Sequence, residues 1–514
     1  MKKISTLSAM LLAGLTFAQT AEKTTEIDTA VKYANTITIE DLKEDLTILA
    51  SDALEGRETG KRGQKMAAAY IKTHFEELGL EGPAEAGNGY YQNVPLKTSK
   101  PGDIYIKFGD TQIKNLEDFL YYGPAYNIEE LTTNVVFGGA GSTEELKGLD
   151  IKGKTVLINT TDRNTRQSAL EYVQKNGGKM LFVIYANNEE EHSDYYNKYK
   201  NYFDRESIGL DKGDGAEIAG IVFISPAHGA AMFETTFDKL QKAIASNKGG
   251  KKNAYKKLKE SSISYKIDYA SKKIISENVL GYLEGTDLKD ELLVLTSHYD
   301  HEGIKNGEIY NGADDDGSGT VAVMDIAEAF AKAKADGNGP RRSILFMTVT
   351  AEEKGLLGSE YYADNPIFPL ENTVADLNID MIGRVDDRDE IVGKEYVSLV
   401  GSDKLSSELH EISERANKKY TDLYLDYTYN DEGHPERIYY RSDHWNFAKN
   451  GIPVIFYTTG SHPDYHKPTD TVDKIEFELM TKRTKLVFYT AWEIANRDGR
   501  LIVDKGEKED KVSK

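Results

Sequence analysis

With 514 residues the chain can bury a large core and hold two or more domains. Charged residues at 29% and aromatics at 10% are the composition of a folded soluble protein, not of a disordered one. A formal net charge of -21 argues against nucleic acid as a partner, because no sustained basic face exists to displace counterions from a phosphate backbone.

The N-terminus reads as an export address. Met1, Lys2 and Lys3 precede an apolar core over residues 7–17, and Thr16 and Ala18 are small at the positions a signal peptidase reads. We expect residues 1–18 to be a cleaved signal peptide, Gln19 to be the mature end, and the protein to be periplasmic or secreted. The apolar run is short for a membrane span and no other stretch approaches one, so stable membrane insertion is not expected. With zero cysteines there are no disulfides, and stability has to come from core size, with bound metal as a second source.

Residues 38–50 (TIEDLKEDLTILA) predict an amphipathic helix: Thr38 can cap, acidic residues fill the first turn, and Leu42, Leu46 and Leu49 share a face. Residues 64–78 predict a second helix, with Ala67, Tyr70, Ile71, Phe75 and Leu78 on one side and Gly79 as a left-handed cap. Between them GRETG, residues 56–60, is too rich in glycine and charge for a core; it either lines a site or is a solvated loop.

From about residue 92 to 269 short strand-like runs (133–137, 155–158, 180–185, 221–225) alternate with turns, and residues 167–176 predict a helix closed by Gly177 and Gly178. No cluster here has ligand spacing. His192 lies in a polar, tyrosine-rich segment, 187–203, that reads as an exposed loop, and His228 begins a helix; both read as surface or satisfied histidines. The basic cluster at 248–259 reads as a solvated face. This region is expected to be a separate, non-catalytic module.

The chemistry concentrates from residue 292 onward. The apolar run 292–295 predicts a central strand that delivers His298 and Asp300 to its C-terminal end, where open α/β sheets place their sites. Asp314, Asp315 and Asp316 follow in a glycine-rich loop, and residues 321–331 predict a helix. Strand, carboxylate loop and helix suit a hard or borderline cation. Residues 342–349 predict another strand, leading to Glu352 and Glu353. Adjacent carboxylates leaving a strand point different ways, so one can bind metal while the other moves protons. The plain alternative is a pair of acids favoured in the first turn of a helix. Residues 374–381 form a third apolar strand, interrupted by Asp376 and Asp380; a buried Asp380 needs a cation, an arginine or several donors. The last histidines, His444 and His466, flank an apolar strand at 452–457.

One rival fits the loop alone. Asp314, Asp316, Ser318, Gly319 and Asp325 approach the spacing of a calcium-binding loop. Against it, residues 306–312 make no entering helix, the twelfth position is Asp instead of Glu, and such a loop explains none of the distant ligands.

Six pieces in order, HYD (298–300), GADDDGSG (312–319), AEE (351–353), IDMIGR (379–384), RSDH (441–444) and YHKPTDT (465–471), resemble the zinc-dependent peptidases of clan MH, family M28. GRETG and the glutamine-bearing 90–92 resemble the N-terminal part of these enzymes. GLDIKGKTVLIN (148–159) resembles the protease-associated (PA) domain that many members carry. The resemblance implies that His298 and Asp380 bind one zinc, Glu353 and His466 a second, and that Asp315 bridges them, holding a shared water with Glu352 as general base. It further implies Asp300 as the acceptor that orients His298, Tyr465 as a donor to the oxyanion, Arg441 and Arg384 as substrate anchors, and Asp443 and His444 as supports. Family members often carry Asn-Asp-Asn where this chain has three aspartates; the extra carboxylates either raise metal affinity or hydrogen-bond the loop.

The resulting expectation is an α/β protein with a mixed β-sheet sandwiched between helices and an inserted, smaller, β-rich PA-like domain. The boundaries expected are 1–18 signal peptide, 19–95 first part of the catalytic domain, 96–268 insert, 269–500 main catalytic part and 501–514 a disordered tail. Its function is expected to be that of an exported aminopeptidase with two Zn2+ per chain, acting on peptide substrates. A carboxypeptidase or dipeptidase, a glutaminyl cyclase and a non-enzymatic binding protein are the alternatives. Oligomeric state and side-chain preference have no signature in the sequence.

Overall fold

The structure, a computed structural model, describes residues 28–213, 220–247, 255, 258–388, 390–431 and 433–505. The expected signal peptide, most of the basic cluster and the tail from 506 lie outside them.

A nine-stranded sheet organises the molecule. Its strands, in chain order, are β1 (Tyr91–Pro101), β2 (Ser207–Leu210), β3 (Tyr269–Leu283), β4 (Leu288–His298), β5 (Arg342–Val349), β6 (Thr373–Ile379), β7 (Tyr396–Val400), β8 (Tyr424–Asp426) and β9 (Val454–Thr458). Their spatial order is β8-β7-β9-β6-β4-β5-β3-β1-β2. The central strands β4, β5, β6 and β9 run parallel, and the pairings of β3 with β5 and of β7 with β9 are antiparallel. The sheet is therefore mixed.

Both faces of the centre are buried, which is why β4 and β5 read as continuous apolar runs. Leu293, Leu295, Ile344 and Phe346 point into one core with Leu42, Ile71, Phe75, Phe330 and Phe488. Leu292, Val294, Leu345 and Met347 point into the other with Tyr362 and Phe447. Helices thus cover each side. Those on the first face include Ile39–Leu49, where the Thr38 side chain accepts from Asp41 N, and Arg62–Glu77, closed by Gly79 at φ 71°.

A second sheet of eight strands lies wholly within residues 105–267. Its buried strands include Thr155–Asn159, Met180–Ile184 and Gly220–Ile224, where strand-like runs are expected. One segment from the same stretch, β2, leaves it and pairs antiparallel with β1 at the edge of the large sheet.

The tyrosine-rich segment is corrected: it is a helix, Glu189–Phe203, not an exposed loop. Asn188 caps it through Glu191 N and three glutamates fill its first turn. Tyr195, Tyr196, Tyr199 and Phe203 then pack on the second sheet, and His192 is buried. No helix among the described residues is long and apolar enough to cross a membrane.

Candidate metal centre

The four parallel strands deliver the site residues at their C-terminal ends, where an open sheet leaves a crevice. β4 ends on His298; β5 is followed by Glu352 and Glu353; β6 by Asp380; β9 by the loop that carries His466. Ala351, Met381 and His466 adopt left-handed backbone at φ 58°, 63° and 53°. Such conformations are disfavoured for residues with a Cβ and gather at functional sites. Each here turns the chain sharply at, or next to, a residue of the cluster.

Two groups of donors face each other. His298 Nε2 is 3.2 Å from Asp315 Oδ1, 3.6 Å from Asp380 Oδ1 and 3.8 Å from Glu352 Oε2. His466 Nε2 is 3.0 Å from Asp315 Oδ2 and 3.2 Å from Glu353 Oε2. Asp315 therefore offers one oxygen to each group. Asp315 Oδ2 and Glu353 Oε1 are buried and have no hydrogen-bond partner. Buried carboxylate oxygens left idle are expensive, and a cation between mixed nitrogen and oxygen donors satisfies them. The residues fit a metal.

The electrostatics differ across the site. Burial pushes the Glu352 carboxyl well above the ordinary range, with Asp380 and Glu353 adding to the rise and His298 opposing it. Burial also acts on Asp315, but His298, His301 and His466 outweigh it and hold that carboxyl well below its usual value. A carboxyl that takes a proton readily beside one that stays ionised is the division that acid-base chemistry requires.

The surrounding shell explains the three consecutive aspartates. Asp316 accepts from Gly319 N at 2.8 Å and Met381 N at 3.1 Å through Oδ1, and from His298 N at 3.1 Å through Oδ2. Asp314 Oδ1 accepts from Gly383 N at 2.6 Å and Ser318 Oγ at 2.9 Å, and its Oδ2 lies 3.3 Å from His462 Nε2. These two flanking carboxylates thus brace the loop, leaving Asp315 free to face both donor groups. Asp470 receives Asp314 N at 3.0 Å and Asp315 N at 3.2 Å, and Ser442 Oγ donates to Asp380 Oδ2 at 2.6 Å.

Asp300 works differently from the expectation. Its carboxylate accepts from Thr59 Oγ1 at 2.5 Å and Glu352 N at 3.1 Å, while His298 Nδ1 meets its main-chain carbonyl at 3.0 Å. The imidazole is oriented by that carbonyl; the carboxylate is 3.9 Å away. Asp300 instead ties GRETG to the turn that carries Glu352.

GRETG is not a solvated loop: Glu58, Thr59 and Gly60 line a cleft with Glu353, and its arginine is buried. Arg57 is fully buried and donates to the carbonyls of Tyr299 and Leu49 at 2.7 Å, Asn311 at 2.6 Å and Gly312 at 2.9 Å. Gly56 makes this possible. At φ 66° it is packed so closely that a Cβ would meet Tyr310 O at 2.4 Å.

Tyr465 stacks on His466 with ring centroids 3.9 Å apart, and Arg441 Nη2 donates to its hydroxyl at 3.3 Å. Arg384 is engaged with Asp464 at 3.1 Å. Asp443 is buried, its carboxyl raised to about 7 by burial with His298 opposing, and it accepts from Ser359 Oγ at 2.5 Å. His444 does not join this network; it packs on Phe456, rings 4.7 Å apart. Asp380, Met381, Ile438, Phe456 and Tyr465 line a cavity of about 40 Å³, and a larger cleft of about 700 Å³ opens on the other side, at Glu353 and Glu302. Ser207 and Ile208 of β2 and Arg205 before it form part of that cleft's wall.

Sequence reasoning missed His301, His462, Asp470 and Ser442. His462 lies just before the YHKPTDT motif, Asp470 inside it and Ser442 inside RSDH, so the motifs marked their neighbourhood; nothing in linear spacing marked their contacts.

A mixed α/β scaffold that gathers buried carboxylates and histidines into two adjoining donor groups defines a metal-dependent hydrolytic enzyme. Residues 278–491 match the model of peptidase family M28. The aminopeptidase YwaD of Bacillus subtilis (strain 168) is 23% identical over 471 residues, 90% of this chain and 86% of that protein. A probable leucine aminopeptidase of Arthroderma otae is 29% identical over 213 residues, 40% of this chain and 55% of the relative. Among solved structures, the aminopeptidase from Aneurinibacillus sp. strain AM-1 shares the fold, with a TM-score of 0.51 at 19% identity over 93% of this chain and 98% of that one.

Proposed function

We propose that this chain is an exported aminopeptidase that removes N-terminal residues from peptides with two zinc ions, one held by His298, Asp380 and Asp315, the other by Asp315, Glu353 and His466. The observation that carries the reading is Asp315, whose two oxygens face the two donor groups separately. Bound there, zinc polarises the scissile carbonyl and makes water acidic enough to attack near neutral pH. Glu352 takes the proton from that water and returns it to the leaving amine; its raised carboxyl and its place beside, not within, the ligand set suit that task. Tyr465, with Arg441 on its hydroxyl, can donate to the carbonyl oxygen as charge builds on it. The acidic residues of the centre can receive the free α-ammonium group of a peptide. The names of the relatives, aminopeptidase and leucine aminopeptidase, support the choice of terminus. Residues 96–268 are read as an inserted PA-like module, supported by their own eight-stranded sheet.

The test is a panel of peptides with free and with acetylated N-termini, run alongside a zinc count on the same preparation. Release of amino acids from free peptides only, by protein holding two zincs per chain, is expected. Equal release from acetylated peptides overturns the aminopeptidase assignment, and a single zinc favours the cyclase alternative.

A further inference from the structure

His301 closes the turn after β4 and has no part in the ligand sets given above. Its side chain is wholly buried, yet neither ring nitrogen has a hydrogen-bond partner. Buried polar groups left unpaired are destabilising, so the position calls for an explanation. Nδ1 stands 2.8 Å from Glu353 Oε1, an atom equally buried and equally without a hydrogen bond. Two polar atoms that close would form a hydrogen bond if the in-plane direction of the imidazole nitrogen passed through the oxygen. The two atoms are close without satisfying hydrogen-bond geometry, so both stand open to a third partner.

Neighbouring ligands on one zinc stand in this relation. Bonds of about 2.0–2.2 Å at angles between a right angle and the tetrahedral value separate ligand atoms by about 2.8–3.6 Å. Asp315 Oδ2, which also lacks a hydrogen bond, is 3.0 Å from His466 Nε2 and, slightly beyond that range, 3.8 Å from His301 Nδ1; one donor atom each from His301, Asp315 and Glu353 lie within 4.8 Å of one another. The ring is held firmly. His301 N donates to Arg57 O at 3.2 Å, and the face of the ring is met by Gly312, where a Cβ would fall 2.5 Å from Cδ2. The glycine that opens the aspartate loop thereby leaves room for this imidazole.

We infer that His301 Nδ1 is a fourth protein ligand to the ion held by Asp315, Glu353 and His466. The two positions are then unequal: one imidazole serves the ion at Asp380, two serve the ion at Glu353. This rests on the two-ion reading. A harder-bound ion follows at the position richer in nitrogen, and the ion at Asp380 should leave first on chelation.

The experiment is zinc X-ray absorption on the fully loaded protein, with stepwise zinc affinities by chelator competition, on wild type and His301→Gln. The wild type should show about 1.5 imidazoles per zinc against about 1 without His301. His301→Gln, with an unchanged circular dichroism spectrum, should lose more than about a hundredfold in affinity at one position and little at the other, beyond the ten- to hundredfold typical of an outer partner. Two zincs with about one imidazole each in the wild type overturn the ligand role. So does a loss in His301→Gln of about a hundredfold or less, the range of an outer partner. Fewer than two zincs in the wild type overturns the two-ion reading, and this inference with it.

Discussion

His444 shows how a motif residue can belong to the core and not to the chemistry. It sits in RSDH, one residue from Asp443, yet it is wholly buried against Phe456 with neither nitrogen hydrogen-bonded. Burial lowers its pKa to about 3. In the unfolded chain the same ring takes a proton below about pH 6.5, so folding stability falls as pH drops from about 6.5 to about 3. His444→Phe keeps the stacked ring and removes this dependence. The acid-unfolding midpoint of the metal-free protein, followed by circular dichroism, should move to lower pH; an unchanged or higher midpoint contradicts the assignment. The residue scale also marks the limit of what the sequence could say. His298, Asp315, Glu353, Asp380 and His466 were singled out by the resemblance of their motifs to a known family, and their side chains lie close together in the structure. His301 was not, because a histidine three residues beyond His298 has no periodicity that assigns it a direction. The roles of Asp314 and Asp316 depended on backbone donors from Met381 and Gly383, some sixty-five residues distant in the chain.

At the scale of elements the metal loops are held by a piece of chain that contributes no ligand. Arg57 carries four carbonyls from three separate segments, the helix end at Leu49, the turn at Tyr299 and the loop entry at Asn311 and Gly312. Hydrogen bonds to a charged donor contribute about 1.5–3 kcal/mol each, and a buried acceptor left alone adds its own penalty. Arg57→Ala should therefore lower the stability of the metal-free protein by on the order of 3 kcal/mol or more in urea unfolding. Arg57→Lys, which keeps the charge but not the planar fork, should fall between. A loss below about 1 kcal/mol for alanine would contradict the bracing role. Helices with clear caps, at Thr38 and Gly79, were readable in advance. The helix Glu189–Phe203 was not, since its buried face is built of tyrosines, which hydropathy reads as polar; Asn188 and the three glutamates after it were the signal available.

At the scale of the whole molecule the two sheets differ in how far they could be foreseen. The large sheet follows from apolar runs buried on both faces, whereas β2 is four residues long, only partly buried, and finds its place by pairing with β1 and packing Ile208 and Leu210 against Val94, Leu96, Ala351 and Leu357. The cleft beside Glu353 is completed by that strand, so its shape depends on residues 205–208. The site concentrates Asp300, Asp314, Asp315, Asp316, Asp380 and Glu353 in the interior, and bound cations should stabilise the fold accordingly. A ligand at about a hundredfold excess over its dissociation constant contributes about 2.7 kcal/mol per site. Chelation should then lower the thermal midpoint by about 5 °C or more, restored by zinc; an unchanged midpoint would mean that the centre holds no tightly bound ion. The proposed chemistry separates metal holding from proton transfer, and Glu352→Ala tests that separation most directly. On zinc-loaded protein the variant should keep the metal content of the wild type while turnover of free peptides falls by about 10²–10⁴-fold. Normal turnover with both ions in place would contradict the account.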